Sequence, residues 1–328
     1  MNETILHMLR DAPGGFVSGE AMCQACGVSR TSIWKHIKDM QDAGYNIEAV
    51  RNKGYRLVDA PDLVTAAEIR EGLSTTLLGQ SIVYRETIDS TNSLAQQLAL
   101  GGAPEGTLVI ADEQTSGRGR RGRQWFSPPH SGIWMSLILR PELPLAHAAQ
   151  ITLVAAVALN QALSRATGVQ AGIKWPNDIL FNGKKCCGIL TEMHAEFDQI
   201  HHLVVGIGIN VNVAQDEFPA ELEGIATSLQ AIRGERIPRA QVVRTVLEEF
   251  EPLYRQYVLN GGFGTLRDAW KANNITLGRH IVAHTARGDI EGLALDIDEF
   301  GVLLLEKADG EREKIYSADI TVINQTIS

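Results

Sequence analysis

The 328-residue sequence contains no run of about 18 apolar residues, so a membrane-spanning helix is not expected. Its first residues, MNETILHMLRDAPGG, lack the basic stretch and apolar core of a secretory leader. These two absences lead to the expectation of a cytoplasmic protein with no membrane partner. Cysteine is scarce: Cys23, Cys26, Cys186 and Cys187 fall in two pairs too close in sequence to staple a scaffold. Cys23 and Cys26 form a CxxC with no second CxxC or histidine pair at zinc-finger spacing, which leaves them as small helix-filling residues. Cys186 and Cys187 read as strand residues. No glycine loop is followed by Gly-Lys-Ser/Thr, which excludes a P-loop. Gly206-Ile-Gly208-Ile-Asn210 lacks the third glycine of a dinucleotide fingerprint and follows no βαβ unit of the right length. The formal net charge of −9 excludes a protein that coats nucleic acid with its whole surface, so any DNA contact belongs to a local patch. Internal repeats and low-complexity tracts are also absent.

What is present is a chain with 44% hydrophobic residues, enough to bury a sizeable core in two or three domains. Within this acidic chain one segment is strongly basic. In TSGRGRRGRQW, Arg118, Arg120, Arg121 and Arg123 alternate with Gly117, Gly119 and Gly122 and end at Trp125. Such a run is poor material for a helix or strand, because each glycine adds unfolded-state entropy and the guanidinium groups repel one another. A loop is expected, offering close backbone N–H groups and planar forks for a carboxylate or phosphate. A solvated linker and a DNA-minor-groove arm are equally compatible with this stretch alone.

The N-terminal segment has a rhythm of its own. Ser18 is placed to cap a helix that Gly27 ends, and Ser29 or Arg30 starts a second helix with apolar positions at Ile33, Trp34, Ile37 and Met40. Two β-prone runs then flank Arg51-Asn52-Lys53-Gly54, a hairpin turn carrying two cations. A helix-turn-helix followed by a basic hairpin is the plan of a winged DNA-binding domain. Residues 30–56 hold six cations against three carboxylates, the local patch that the acidic chain requires. The recognition helix and wing would present Ser29, Arg30, Thr31, Ser32, Lys35, Arg51 and Lys53. A winged helix used only for protein contacts is the alternative.

The break at Ala60-Pro61-Asp62 sets the end of a first domain, 1–60. Residues 61–271 mix strand-like runs (TLVIADE, GIWMSLILR, KKCCGILTEM, HHLVVGIGINVNV) with helical stretches, including one that ends at Gly168, and so predict an α+β domain. Residues 272–328 shift to short β runs with polar or glycine-bearing turns, which predict a small barrel.

Four stretches in the central domain carry chemistry: Asp89-Ser90-Thr91-Asn92, the arginine loop from Gln114 to Trp125, Lys174-Trp175-Pro176-Asn177-Asp178, and Lys184-Lys185 running into Cys186-Cys187-Gly188. Ser90 or Thr91 alone could be a helix cap. The proline in KWPND must stop a strand and expose Lys174, Asn177 and Asp178 at its end. Lys185, entering an apolar strand, is either a snorkelling edge residue or a charge aimed into a pocket. Together these groups describe a site for a polar, anionic small molecule with phosphates.

STN, GRGRRGR followed by W, KWPND and KKxxGIL at these spacings resemble the biotin protein ligase family, and the winged helix in front resembles its bifunctional ligase and repressor form. The resemblance implies a multidomain α+β fold: an N-terminal winged helix-turn-helix, a central class II synthetase-like ligase domain and a C-terminal SH3-like β-barrel. It implies that biotin and ATP, with Mg²⁺, give biotinyl-5′-adenylate, and that biotin passes to a lysine of a biotin carboxyl carrier domain of acetyl-CoA carboxylase or a related enzyme. Operator DNA and, with the adenylate as corepressor of biotin synthesis genes, a homodimer are the further implied partners. Carried over residue by residue, Ser90, Thr91, Asn92, Gln114, Arg118, Gly119, Arg120, Lys185 and Gly188 would hold biotin. Arg120, Arg121, Trp125, Asn177 and Asn210 would hold the nucleotide. Arg118, Lys185 and Asp178 would be catalytic, with Asp178 also facing the metal. A ligand sensor without catalysis and a lipoate ligase of similar fold are the rivals; intact phosphate-neutralising charge speaks against the first and the arginine-rich loop against the second.

Overall fold

A computed structural model describes residues 1–196 and 199–323. Two compact units result, Met1–Leu73 and Ser74–Ser328.

In the first unit, α1 (Asn2–Arg10), α2 (Gly19–Cys26) and α3 (Arg30–Asp42) precede the hairpin β1 (Asn46–Val50) and β2 (Gly54–Asp59). Ser18 Oγ accepts from Ala21 N at 3.1 Å, Gly27 ends α2 at φ 67°, and Ser29 Oγ accepts from Ser32 N at 3.3 Å. These polar groups complete the helix ends that the sequence marks. Ile5, Leu6, Leu9, Met22, Ile33, Ile37, Met40, Tyr45 and Ile47 form the core. Trp34 departs from the sequence expectation: it is 56% exposed. Ile33, Ile37 and Met40, at helical spacing, fill the inward stripe, and position 34 lies about 100° round the helix from 33. The short α4 (Ala66–Arg70) belongs to the same unit, because the buried Glu68 accepts from Tyr45 Oη at 2.5 Å and Arg10 at 2.7 Å. The compact unit therefore extends through Leu73.

The second unit is built on β3 (Ile82–Ile88), α5 (Thr91–Leu100), β4 (Leu108–Gln114), β5 (Gly132–Leu139), α6 (Ile151–Thr167), β6 (Gly172–Lys174), β7 (Asp178–Phe181), β8 (Lys184–Glu196) and β9 (Gln199–Asn210). Its sheet runs β3-β4-β5-β9-β8-β7-β6. Only β3 and β4 pair in parallel, and α5 supplies the crossover that a parallel pair requires; the other neighbours are antiparallel. Leu145–Thr167 is long and apolar enough to cross a membrane, yet most of it is packed inside the protein, and α6 ends at Gly168 with φ 72°. It lies against α8 (Arg239–Leu259), which follows the short α7 (Leu229–Arg233).

After α9 (Arg267–Asn273) come β10 (His280–Thr285), β11 (Gly288–Ile297), β12 (Leu303–Glu306), β13 (Arg312–Ile315) and β14 (Asp319–Val322). They form a five-stranded antiparallel sheet in the order β13-β12-β11-β10-β14. The run EKIYSADITVI, one β run in the sequence, divides into two strands at opposite ends of that order. The turn at 316–318 and the start of β14 thereby carry Ser317, Ala318 and Asp319 to Arg120 and Arg123.

Two groups make the stability of the second unit acid-sensitive. Burial opposes ionisation of Glu251, but donors from Leu78, Leu77, Thr76 and Arg255 outweigh it and bring the carboxyl down to about 2 from 4.5. Burial, then the nearby His194, Arg140 and His201, push His202 down to about 4 from 6.5. Both groups bind protons more weakly in the folded state. Their contributions are therefore complete above the unfolded pKa and drain as pH falls, between 6.5 and 4 for His202 and between 4.5 and 2 for Glu251. The expected outcome is a melting temperature that declines in two stages on acidification, with His202→Gln flattening the first stage alone. Thermal melts of both proteins across this range check it, and equal slopes in the upper window would refute it.

Candidate ligand site

The floor of the site is made where α5 begins. Ser90 occupies the N-cap position with no side-chain cap bond, so helix capping does not account for this motif. Instead, Thr91 N and Oγ1 donate to Gln114 Oε1 at 2.9 and 3.1 Å, joining the helix start to the end of β4. Ser136 Oγ on β5 reaches Thr91 Oγ1 at 2.8 Å and Asn92 Oδ1 at 2.6 Å. Asn92 Nδ2 donates to Glu192 Oε2 at 2.8 Å, and Gln114 Nε2 to Ser127 Oγ at 3.1 Å. Ser90, Thr91 and Asn92 are all nearly fully buried. A buried polar network of this completeness holds each donor and acceptor at a defined position.

The arginine segment closes the opposite side, and it is more ordered than a glycine-arginine run suggests. Gly119 N donates to Arg123 O at 2.7 Å, Trp125 N to Gly117 O at 2.9 Å, and Arg120–Gly122 makes a single 3-10 turn with Arg121 at φ 55°. Arg118 goes to one carboxylate, and the other three arginines gather round Asp319. Arg118 donates to Glu192 Oε2 at 3.0 Å. Arg120 donates to Asn177 Oδ1 at 2.9 Å, Ser317 Oγ at 2.7 Å and Ala318 O at 3.2 Å. Arg123 meets Asp319 at 3.0 Å, and Arg121 lies 4.0 Å from the same carboxylate. Arg120 is half-buried, and desolvation lowers its pKa against the pull of Asp319 and Asp178.

The third wall is the hairpin of β6 and β7. The strand stops at Lys174 as Pro176 demands, but Lys174, Asn177 and Asp178 turn inward rather than to solvent, and Asn177 is 8% exposed. Lys185 Nζ lies 2.7 Å from Asp178 Oδ1 and 5.1 Å from the Trp125 ring centre. It is therefore a pocket charge and not a snorkelling edge residue. Burial lowers the Lys174 pKa, opposed by Asp178 and assisted by Lys185. Gly206 and Gly208 explain the GIGIN run. A Cβ at 206 would stand 2.1 Å from Asn92 Oδ1, and one at 208 would stand 2.4 Å from Trp125 Nε1. These glycines let side chains lie against β9.

The result is one cavity of 530 Å³, a volume suited to a small organic ligand. Ser90, Thr91, Asn92, Gln114, Arg118, Gly119, Arg120, Trp125, Asn177, Asp178, Lys185, Gly188 and Asn210 line it; Arg121 stands outside the lining. The cavity has a hydrogen-bonding end, where Asn92 and Arg118 share Glu192, and an end where Arg120, Lys174 and Lys185 converge. That arrangement can hold a neutral polar group and bring two anions together.

The Biotin/lipoate A/B protein ligase family matches residues 84–210, an HTH domain matches 2–56, and the Biotin protein ligase C terminal domain matches 276–322. The Bifunctional ligase/repressor BirA of Bacillus spizizenii is 49% identical over 320 residues, 98% of either chain. The chain belongs to the bifunctional biotin protein ligase/repressor family. The Escherichia coli relative of the same name is 30% identical over 296 residues, 90% of each chain. Among solved structures, the biotin protein ligase of Aquifex aeolicus in complex with biotin and ATP has a TM-score of 0.64 at 30% identity, covering 74% of this chain and 99% of that one.

In this ligase/repressor, Ser136, Ser127, Glu192 and Asp319 join the site although sequence reading does not single them out. Lys174, noticed as a strand end, joins the converging charge. No local signal marks Glu192 or Asp319, because their partners lie 74 or more residues away. In the first unit, Ser29 caps α3, and Thr31 and Lys35 are exposed on its first turns beside Arg30, which meets Glu20 at 3.4 Å. Ser32 is half-buried. Arg51 and Lys53 are exposed at the hairpin tip, with Asn52 at φ 67°.

Proposed function

We propose that the cavity binds biotin at its hydrogen-bonding end and ATP at its cationic end and joins them as biotinyl-5′-adenylate. The observation that carries this reading is the convergence of Arg120, Lys174 and Lys185 at one end of a cavity whose other end is a buried hydrogen-bond network in which Asn92 and Arg118 share Glu192. Adenylation makes a carboxylate oxygen attack an α-phosphorus: one P–O bond forms, the bond to the β-phosphate oxygen breaks, and pyrophosphate leaves. Two anions must meet, and preorganised cations offset their repulsion. Ser90, Thr91, Asn92, Gln114 and Gly188 serve biotin's ring system. Arg118, Gly119, Arg120 and Lys185 serve the carboxylate and α-phosphate, while Arg120, Trp125, Asn177 and Asn210 serve the nucleotide. Arg121 contributes long-range charge from outside the lining.

Mg²⁺ fits this site as an ion carried chiefly by substrate phosphates. Among the described residues no group of three His, Cys, Asp or Glu is placed to cage a metal, and Mg²⁺ ordinarily takes one or two carboxylates plus phosphate oxygens and water. Asp178 would be its protein ligand, and the ion would neutralise phosphate charge. In the second half-reaction the ε-amine of an acceptor lysine attacks the acyl carbon, the bond to the phosphate oxygen breaks, and AMP leaves. The acceptor is a biotin carboxyl carrier domain, the protein works in the cytoplasm, and the adenylate-bound form is a homodimer that binds operator DNA through the first unit. We take 1–60, 61–271 and 272–328 as the DNA-binding, catalytic and C-terminal domains, with 61–73 packed as part of the first unit.

Incubation with biotin, ATP, Mg²⁺ and a carrier domain tests the enzymatic reading: biotin on the carrier lysine is expected, and an unlabelled carrier would refute it. Removal of residues 1–73 tests the division of labour. Specific DNA binding should be lost while biotinylation persists, because every cavity residue lies beyond position 89. Retained specific DNA binding would remove the winged helix from the reading.

A further inference from the structure

We propose that Trp34 reads thymine in the major groove from the centre of the recognition helix. The inference rests on the assignment of the first unit as DNA-binding. Trp34 is 56% exposed on a helix whose inward stripe is complete without it, since Ile33, Ile37 and Met40 are each 3% exposed or less. Tryptophan is the side chain with the most apolar area to gain from burial, so leaving it in water forfeits stabilisation that a partner would recover.

Its neighbours identify that partner. Arg30 lies one turn before Trp34 and Lys38 one turn after it, on the same face, and Thr31 and Lys35 flank the stripe; all four are exposed. Lys38 Nζ stands 5.5 Å from the Trp34 ring centre. A helix with its side chains is about 10–12 Å across, and the major groove is about 12 Å wide. With the helix lying in the groove, Trp34 faces the base edges and the long Arg30 and Lys38 side chains, one turn to either side of it, reach out to phosphates. An aromatic bracketed by cations complements an uncharged floor between charged walls.

Thymine is the base whose groove edge matches the indole. It presents a C5-methyl group for the ring face, and an acceptor on a neighbouring base edge can take the in-plane Nε1–H donor. The cations supply binding that is indifferent to sequence, whereas Trp34 supplies discrimination.

The test uses the full-length protein with biotin and ATP. A duplex is selected from a random pool, and binding to it and to an unselected duplex is measured by fluorescence anisotropy at several salt concentrations. Trp34→Ala should bind the selected duplex roughly ten- to a hundredfold more weakly. Its affinity for unselected duplex, the salt slope and carrier biotinylation should match the parent. Replacing single thymines of the selected duplex by uracil should weaken the parent at the contacted positions and leave Trp34→Ala unaffected. Trp34→Phe, which keeps the apolar face and loses the donor, should fall between them and retain the methyl dependence. Equal affinity of parent and Trp34→Ala for the selected duplex would overturn the proposal. So would uracil effects of the same size in both proteins, or equal losses on selected and unselected DNA. Failure of the parent to select any duplex would instead overturn the DNA-binding assignment itself.

Discussion

Replacing Lys185 with alanine should lower biotin- and ATP-dependent pyrophosphate release at least roughly tenfold while leaving the fold intact. The ammonium faces the cavity, 2.7 Å from Asp178 and over the Trp125 ring. A charge-assisted hydrogen bond to a developing anion is worth about 1.5–3 kcal/mol, which sets the size of the rate loss. The pair with Asp178 is partly exposed, so its loss should cost the folded state no more than about 1 kcal/mol. Lys185→Arg should recover part of the rate by restoring positive charge without the compact ammonium geometry. Pyrophosphate release and thermal melts of the three proteins check this. An alanine variant that adenylates at the parental rate would reduce Lys185 to a partner of Asp178.

Arg120→Gly should release the mixed anhydride before delivery. If Arg120 clamps the adenylate, its loss should raise the adenylate off-rate, label lysines of an unrelated protein, and weaken adenylate-dependent dimerisation and repression through the same loop. From the sequence, glycine at 120 removes one guanidinium and leaves the loop as flexible as before, so the unfolding midpoint should scarcely move. The structure changes that expectation. Arg120 bonds to Asn177, Ser317 and Ala318, tying the arginine segment to the C-terminal sheet. Loss of these bonds should cost about 1–2 kcal/mol, visible as a small drop in melting temperature. Off-rate, labelling of a non-cognate lysine-rich protein and melting are the readouts. A parental off-rate with labelling confined to the cognate carrier would exclude Arg120 from the clamp.

The elements most legible in the sequence are those whose signals are local. Ser18, Gly27 and Ser29 mark helix ends through bonds to residues three or four away, and Gly168 ends α6 through its own left-handed backbone. β5 and the inner parts of β4 and β9 announce themselves as apolar runs because they lie in the buried middle of the sheet. Trp34 lies off the inward stripe that hydropathy assigns it to, because hydropathy registers an apolar residue but not the 100° that carries it round the helix. The short β6 and β7 and the division of EKIYSADITVI into β13 and β14 exceed what periodicity over three or four residues can resolve.

By itself the sequence determined the order of the three domain types and the motifs STN, GRGRRGR, KWPND and KKxxGIL, because chemistry at a site needs particular side chains on particular turns. Which way those side chains face was decided only by tertiary structure. Capping and snorkelling are available to Ser90 and Lys185 in any isolated segment; the pairing of β7 with β8 and the packing of α5 on β5 remove those options. Glu192, Ser136 and Asp319 enter the site solely because the fold brings β8, β5 and the start of β14 to the same cavity. A buried polar group takes its partner from whatever the fold sets within about 3 Å of it, and no spacing along the chain records that distance.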